Sequence, residues 1–186
     1  MKQLAIFDLD GTLFDTTRVN FLAYQQVLAP RGYHPEFDFF RRECFGHDYG
    51  YFGPLLAPGA SPEELREIHR EKKACYASYL KYAIKNEHLF RLIRLMRSEY
   101  HTALVTAGSR ANSTDILTRF GEQDSFDLYL TAEHVTKTKP DPQGFLKAME
   151  YFNVTPEQTI IFEDSPTGIK AAQASGATLF VVEGFN

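Results

Sequence analysis

Leu4-Ala5-Ile6-Phe7-Asp8-Leu9-Asp10-Gly11-Thr12-Leu13-Phe14-Asp15 decides how the rest of this chain is read. The apolar run Leu4 to Phe7 predicts a buried strand of a parallel sheet. Residues two apart on a strand share a face, so Asp8 and Asp10 leave its end pointing the same way. Gly11 lets the backbone turn sharply and approach a bound group closely. Two carboxylates held this close repel one another unless a cation lies between them. A hard divalent ion with oxygen ligands, such as Mg²⁺, meets that need. Strand carboxyl ends are also where open α/β sheets bind ligands. The competing reading is a pair of turn-forming aspartates.

Three later stretches supply what phosphate chemistry still lacks. Val105-Thr106-Ala107-Gly108-Ser109 follows an apolar run and precedes a helical pattern. A hydroxyl and backbone N–H groups at such a turn suit phosphate oxygens, although Thr106 also reads as the helix cap. Lys137-Thr138-Lys139-Pro140-Asp141-Pro142 is a loop in which Pro140 keeps Lys139 extended. Its ammonium would neutralise a transferring phosphoryl group, with Lys137 the competing candidate. Thr159 to Phe162 runs into Glu163-Asp164-Ser165, a second acid pair that would complete a metal site. The same acids also suit a helix N-terminus.

With DxDGT at Asp8 to Thr12, the hydroxyl at Thr106, Lys139 in KPDP and EDSPTGIKAA from Glu163 to Ala172, the chain resembles the haloacid dehalogenase-like phosphohydrolases. The likeness is to the branch of β-phosphoglucomutase and phosphoglycolate phosphatase. It implies a Rossmann-like parallel-sheet core with a helical cap inserted after the first strand. It also implies a Mg²⁺-dependent phosphatase acting on a small phosphorylated metabolite through an aspartyl-phosphate. Asp8 would be the nucleophile and Asp10 the general acid and base. Leu9, Gly11, Thr106, Ala107 and Lys139 would bind phosphate. Asp8, Asp10 and Asp164 would hold the metal, with Glu163 behind them. The mutase members of the family carry a histidine where this chain has Asn20, and an arginine in a cap region that here, over Gly46 to Phe52, has none. Both departures favour hydrolysis over the alternative of a sugar-phosphate mutase. A receiver-like or phosphate-binding module is the non-enzymatic rival, and the inserted segment after the first strand argues against it.

Composition bounds the rest. The chain has 186 residues and a net charge of −4, which gives no global electrostatic reason to bind nucleic acid or an anionic membrane. No apolar stretch approaches membrane-spanning length, and Cys44 and Cys75 suggest neither a disulfide framework nor a zinc site. The expectation is a cytoplasmic monomer. The six histidines lack metal-ligand spacing, and the pairs Arg41-Arg42 and Lys72-Lys73 read as solvated faces. The chain parses into a core over 1–15 and 85–186 and an all-α cap over 16–84. In the cap, Ser61-Pro62-Glu63-Glu64 predicts a capped helix start. Gly46 to Gly59 predicts a glycine-punctuated loop whose beginning, Phe45 to Gly50, is a candidate for substrate recognition. The surrounding aromatics, Tyr33 to Phe52, predict the core of the cap.

Overall fold

The computed structural model describes residues 2–184. The ends of the expected core domain, residues 1, 185 and 186, lie outside the described residues. In chain order the elements are β1 (Gln3–Phe7), β2 (Phe14–Asp15), α1 (Thr17–Leu28), α2 (Phe37–Glu43), α3 (Tyr49–Leu56) and α4 (Pro62–Cys75). They continue with β3 (Ile84–Lys85), α5 (Glu87–Met96), β4 (Tyr100–Val105), α6 (Arg110–Phe120), β5 (Leu128–Leu130), α7 (Gln143–Phe152), β6 (Thr159–Glu163), α8 (Pro166–Ser175) and β7 (Thr178–Val181). Two compact units result: Thr16–Ala83, which is helical, and the two segments flanking it.

The flanking unit is an α/β fold. Its five strands run parallel in the order β5-β4-β1-β6-β7. Alternation along β1 explains why helices cover both faces. Leu4 and Ile6 point into a cluster with Phe145, Ala148 and Met149 of α7 and Ala171 and Ala172 of α8. Phe7 points the other way, stacking on Phe162 and meeting Phe126, which in turn meets Phe90 of α5. These β1 side chains are wholly buried, and each such burial is worth about 1.5–3 kcal/mol. The strand order reverses around β1, so the crevice for a ligand opens at the carboxyl ends of β1, β4 and β6.

The sequence does not announce β2 and β3. They form a two-stranded antiparallel ribbon in which Asp15 pairs with Ile84 and Phe14 with Lys85. Ile84 therefore belongs to the flanking unit and not to the helical insertion, because its backbone partner lies there.

The helical unit departs from expectation in two places. Residues 46–59 are not a plain loop, because α3 runs through them. Asp48 caps this helix by accepting from the Gly50 N–H at 2.7 Å, and the helix takes Tyr49 and Gly50 out of the candidate recognition loop. Tyr49, Phe52 and Leu56 then recur at helical spacing and pack into one cluster with Tyr24, Phe40 and Ile68. Lys72 is not on a solvated face either; it is 6% exposed. Its ammonium donates to the Asn20 side-chain carbonyl and lies over the rings of Tyr24 at 5.1 Å and Tyr76 at 4.9 Å, where cation–π attraction offsets lost hydration. Among the described residues no helix is long and apolar enough to cross a membrane.

Candidate active site

Strand β1 delivers Asp8 one residue beyond its end, anchored by the Asp8 N–H to the Phe162 carbonyl at 3.0 Å. The loop before α7 brings Lys139 to it from 131 positions away: Nζ donates to Asp8 Oδ1 at 2.5 Å, Glu163 Oε1 at 2.7 Å and the Val105 carbonyl at 3.1 Å. All three ammonium protons are thereby directed. Gln143 holds the loop in shape by accepting from the N–H groups of Thr136 and Lys137 at 2.7 and 3.0 Å. Lys137, the rival lysine, is instead exposed and faces Asp141 at 3.6 Å.

Glu163 is completely buried. Besides Lys139 it accepts from the N–H groups of Asp164 and Ser165, each at 2.7 Å, and from the Ser165 hydroxyl at 3.1 Å. Helix α8 passes so close that a β-carbon on Gly168 would fall 1.6 Å from Glu163 Oε1. Glu163 is thus the support on which Lys139 rests. Asp164 accepts from the Thr12 hydroxyl at 2.8 Å and lies against Gly11, where a β-carbon would fall 1.9 Å from Asp164 Oδ2. The Gly11 N–H donates to the Phe14 carbonyl at 2.8 Å. The φ of +93° and the missing side chain of Gly11 make room for Asp164. The N–H groups of Leu9 and Ala107 donate to no backbone carbonyl among the described residues.

Thr106 is 5% exposed, and its hydroxyl accepts from the Gly108 N–H at 3.0 Å. It is not the cap of α6; Ser109 is, accepting from Asn112 N at 3.3 Å. A β-carbon on Gly108 would lie 3.3 Å from Thr106 Oγ1, 3.5 Å from Ser113 Oγ and 3.6 Å from Asp10 Oδ2. Asp10, Thr106 and the buried Ser113 therefore gather around one point. Thr12, Ser113 and Gly168 escape sequence reasoning as site residues. Thr12 stands inside the DxDGT motif and Gly168 inside EDSPTGIKAA, and so both carried a signal; Ser113 carried none.

The electrostatics of the group are unbalanced. Asp8, Asp10, Glu163 and Asp164 are acids, and Lys139 is the cation set among them. Burial, then the charges of Glu163 and Asp164, lift the Asp8 carboxyl well above its ordinary range against the pull of Lys139. Burial and Glu163 likewise lift Asp164 to about 7. Burial alone would lower the pKa of Lys139, but Asp8 and Glu163 outweigh it and hold the ammonium protonated. A divalent cation fits this surplus of negative charge and this all-oxygen donor set. Among the described residues no three Asp, Glu, His or Cys side chains are gathered so as to hold a metal by themselves. Mg²⁺ does not need three, since it takes one or two carboxylates and completes its shell with water and phosphate oxygens.

A family model described as haloacid dehalogenase-like hydrolase matches residues 5–182. The chain is 29% identical over 180 residues to the phosphorylated carbohydrates phosphatase of Thermotoga maritima, covering 94% of this chain and 82% of that protein. It is 31% identical over 179 residues to the validoxylamine A 7'-phosphate phosphatase of Streptomyces hygroscopicus subsp. limoneus, covering 95% and 83%. The crystal structure of CbbY from Rhodobacter sphaeroides in complex with phosphate has a TM-score of 0.81 at 24% identity, covering all of this chain and 88% of that one. That last likeness bears on the fold.

Proposed function

The chain belongs to the haloacid dehalogenase-like hydrolases, and from this premise we propose that it is a Mg²⁺-dependent phosphatase acting on a small phosphorylated metabolite, a sugar phosphate by preference. The observation that carries the reading is the buried Asp8–Lys139–Glu163 ion cluster beside Asp164, Asp10 and Thr106. The names of the two phosphatase relatives support the sugar preference.

Asp8 attacks phosphorus, forming an aspartyl-phosphate as the bond to the substrate's oxygen breaks. Asp10 gives its proton to the departing alkoxide. It then takes a proton from the water that attacks the aspartyl-phosphate, so inorganic phosphate leaves and Asp8 is restored. Lys139 and the Thr106 hydroxyl bind phosphate oxygens, with the N–H groups of Leu9 and Ala107. Of the candidate ligands Asp8, Asp10 and Asp164, the carboxylates of Asp8 and Asp164 would hold Mg²⁺, that of Asp10 being kept for proton transfer, with Glu163 supporting them from behind. When bound, the ion neutralises negative charge on the phosphoryl oxygens and on the buried acids.

Hydrolysis is favoured over mutase activity by Asn20. Its amide donates to the Thr16 carbonyl at 3.1 Å and the Thr16 hydroxyl at 3.0 Å and accepts from Lys72, and an amide does not shuttle protons at neutral pH. The test is a screen of phosphorylated sugars with purified protein, with Mg²⁺ and with EDTA. Phosphate release in Mg²⁺ that stops in EDTA is expected. Full activity in EDTA would remove the metal from the reading. Incubation with β-glucose 1-phosphate and a trace of the 1,6-bisphosphate should release phosphate. Faster accumulation of glucose 6-phosphate would replace the hydrolase with a mutase.

A further inference from the structure

The orientation of Asp164 does not come from Lys139, and what orients it lies on the far side of the DxD turn. Thr12 is completely buried. Its hydroxyl donates to Asp164 Oδ1 at 2.8 Å across 152 positions of sequence. The turn carrying Thr12 is itself held rigidly. Gly11 N donates to the Phe14 carbonyl at 2.8 Å and Leu13 N to the Leu9 carbonyl at 3.0 Å. Asn86, the residue after β3, reaches the same turn: its side-chain amide donates to the Thr12 carbonyl at 3.3 Å and its N–H to the Leu13 carbonyl at 2.9 Å. The Asn86 side-chain Oδ1 caps α5 by accepting from Leu89 N at 3.2 Å, so helix and turn are joined through one side chain.

We propose that Thr12 is a positioning residue for the cation site: its hydroxyl occupies Asp164 Oδ1, fixes the carboxylate plane against Gly11, and so holds the group oriented for Mg²⁺. The inference deepens the phosphatase reading and rests on Asp164 being a ligand. Groups that orient a ligand from behind set metal affinity, and their loss weakens binding by about 10–100-fold. A valine in place of Thr12 keeps the shape and removes the donor. The carboxylate is then free to turn about its Cβ–Cγ bond, and that freedom must be given up when the ion binds.

The test measures binding without turnover: Mg²⁺ titrated calorimetrically into the purified, metal-stripped full chain, and Mn²⁺ binding followed by electron paramagnetic resonance. Four proteins are compared: wild type, Asp164→Asn, Thr12→Val and Thr12→Ser. Asp164→Asn should abolish binding, Thr12→Val should weaken it about tenfold or more, and Thr12→Ser, which restores the hydroxyl, should bind within about threefold of wild type. Thermal melts in EDTA check folding, and equal melts for Thr12→Val and wild type place the loss at the site. If Thr12→Val binds as tightly as wild type while Asp164→Asn does not bind, the role of Thr12 is overturned and the site reading stands. If Asp164→Asn binds like wild type, Asp164 is not a ligand and the reading beneath the inference fails. A Thr12→Ser protein as weak as Thr12→Val would also overturn it, since the effect would then follow shape and not the hydroxyl.

Discussion

Each unit buries a polar cluster, and the two are built on opposite principles. In the helical unit, Tyr24 shares a hydrogen bond with His69 Nδ1 at 2.9 Å, and Tyr49 stacks on His69 with centroids 4.2 Å apart. The Tyr49 hydroxyl donates to the Leu65 carbonyl at 2.8 Å. Burial drives each of these groups toward neutrality. It pushes the Tyr49 phenol to about 12 and, with the charges of Lys73 and Lys72, His69 down to about 3. In the α/β unit, Asp8, Glu163 and Lys139 are also buried, yet Lys139 stays charged because two carboxylates hold its proton. Hydrogen-bond satisfaction does not separate the two, since no buried side-chain nitrogen or oxygen among the described residues lacks a partner. Charge does. A satisfied cluster of neutral rings, with one neighbouring cation, Lys72, caged over Tyr24, is what packing alone selects. A cluster with more buried acids than bases costs stability that only chemistry or an incoming cation explains.

The sharpest way to break this contrast is Asp8→Asn. The amide keeps the shape and removes both the attacking charge and one buried acid. Turnover should fall by a factor on the order of 10³ or more, while the melting temperature in EDTA stays level or rises. Retention of more than about a tenth of wild-type turnover would sink the covalent role.

A second, intermediate effect concerns pH. The folded-state pKa of Asp164, about 7, lies above its ordinary value of 3.8. The metal-free fold therefore binds this proton more tightly than the unfolded chain does. The associated stability is present below about pH 4 and is lost as pH rises through about 7. Mg²⁺ must displace the same proton. Its affinity should fall by at least about tenfold per pH unit below 7, and more where the Asp8 proton must also leave, as calorimetric titration from pH 5.5 to 8.5 would read. An affinity flat across that range would show that Asp164 is already ionised.

The smallest effect belongs to the neutral cluster. Tyr24→Phe leaves His69 Nδ1 without its partner and should cost about 1 kcal/mol of stability, measured by urea denaturation, with kcat changed less than about threefold. A hundredfold loss of kcat with an unchanged urea midpoint would mean that the aromatic cluster serves the reaction and not the fold.

Much of this molecule is legible locally. The apolar run of β1 with DxD at its end, Ser61 accepting from Glu64 N at 3.1 Å, and Ser165 capping α8 by accepting from Gly168 N at 3.0 Å all follow from residues within a few positions of one another. Helix α3 was hidden because Gly50, Gly53 and Pro54 mimic loop chemistry, and it is the packing of Tyr49 and Phe52 on Tyr24 and Phe40 that overrides them. Lys72 escapes the sequence for the same reason: its cage comes from Asn20, Tyr24 and Tyr76, of which only Tyr76 is a near neighbour in sequence.

The sequence by itself determined which residue types end each strand, and therefore the candidate chemistry. Only the tertiary structure decided which partners those residues take: Lys139 on Asp8 across 131 positions, Thr12 on Asp164 across 152, and Glu163 turned toward the lysine. Periodicity and capping act over one or two turns of chain, whereas pairing of buried charges is settled by which strand ends the sheet order sets side by side.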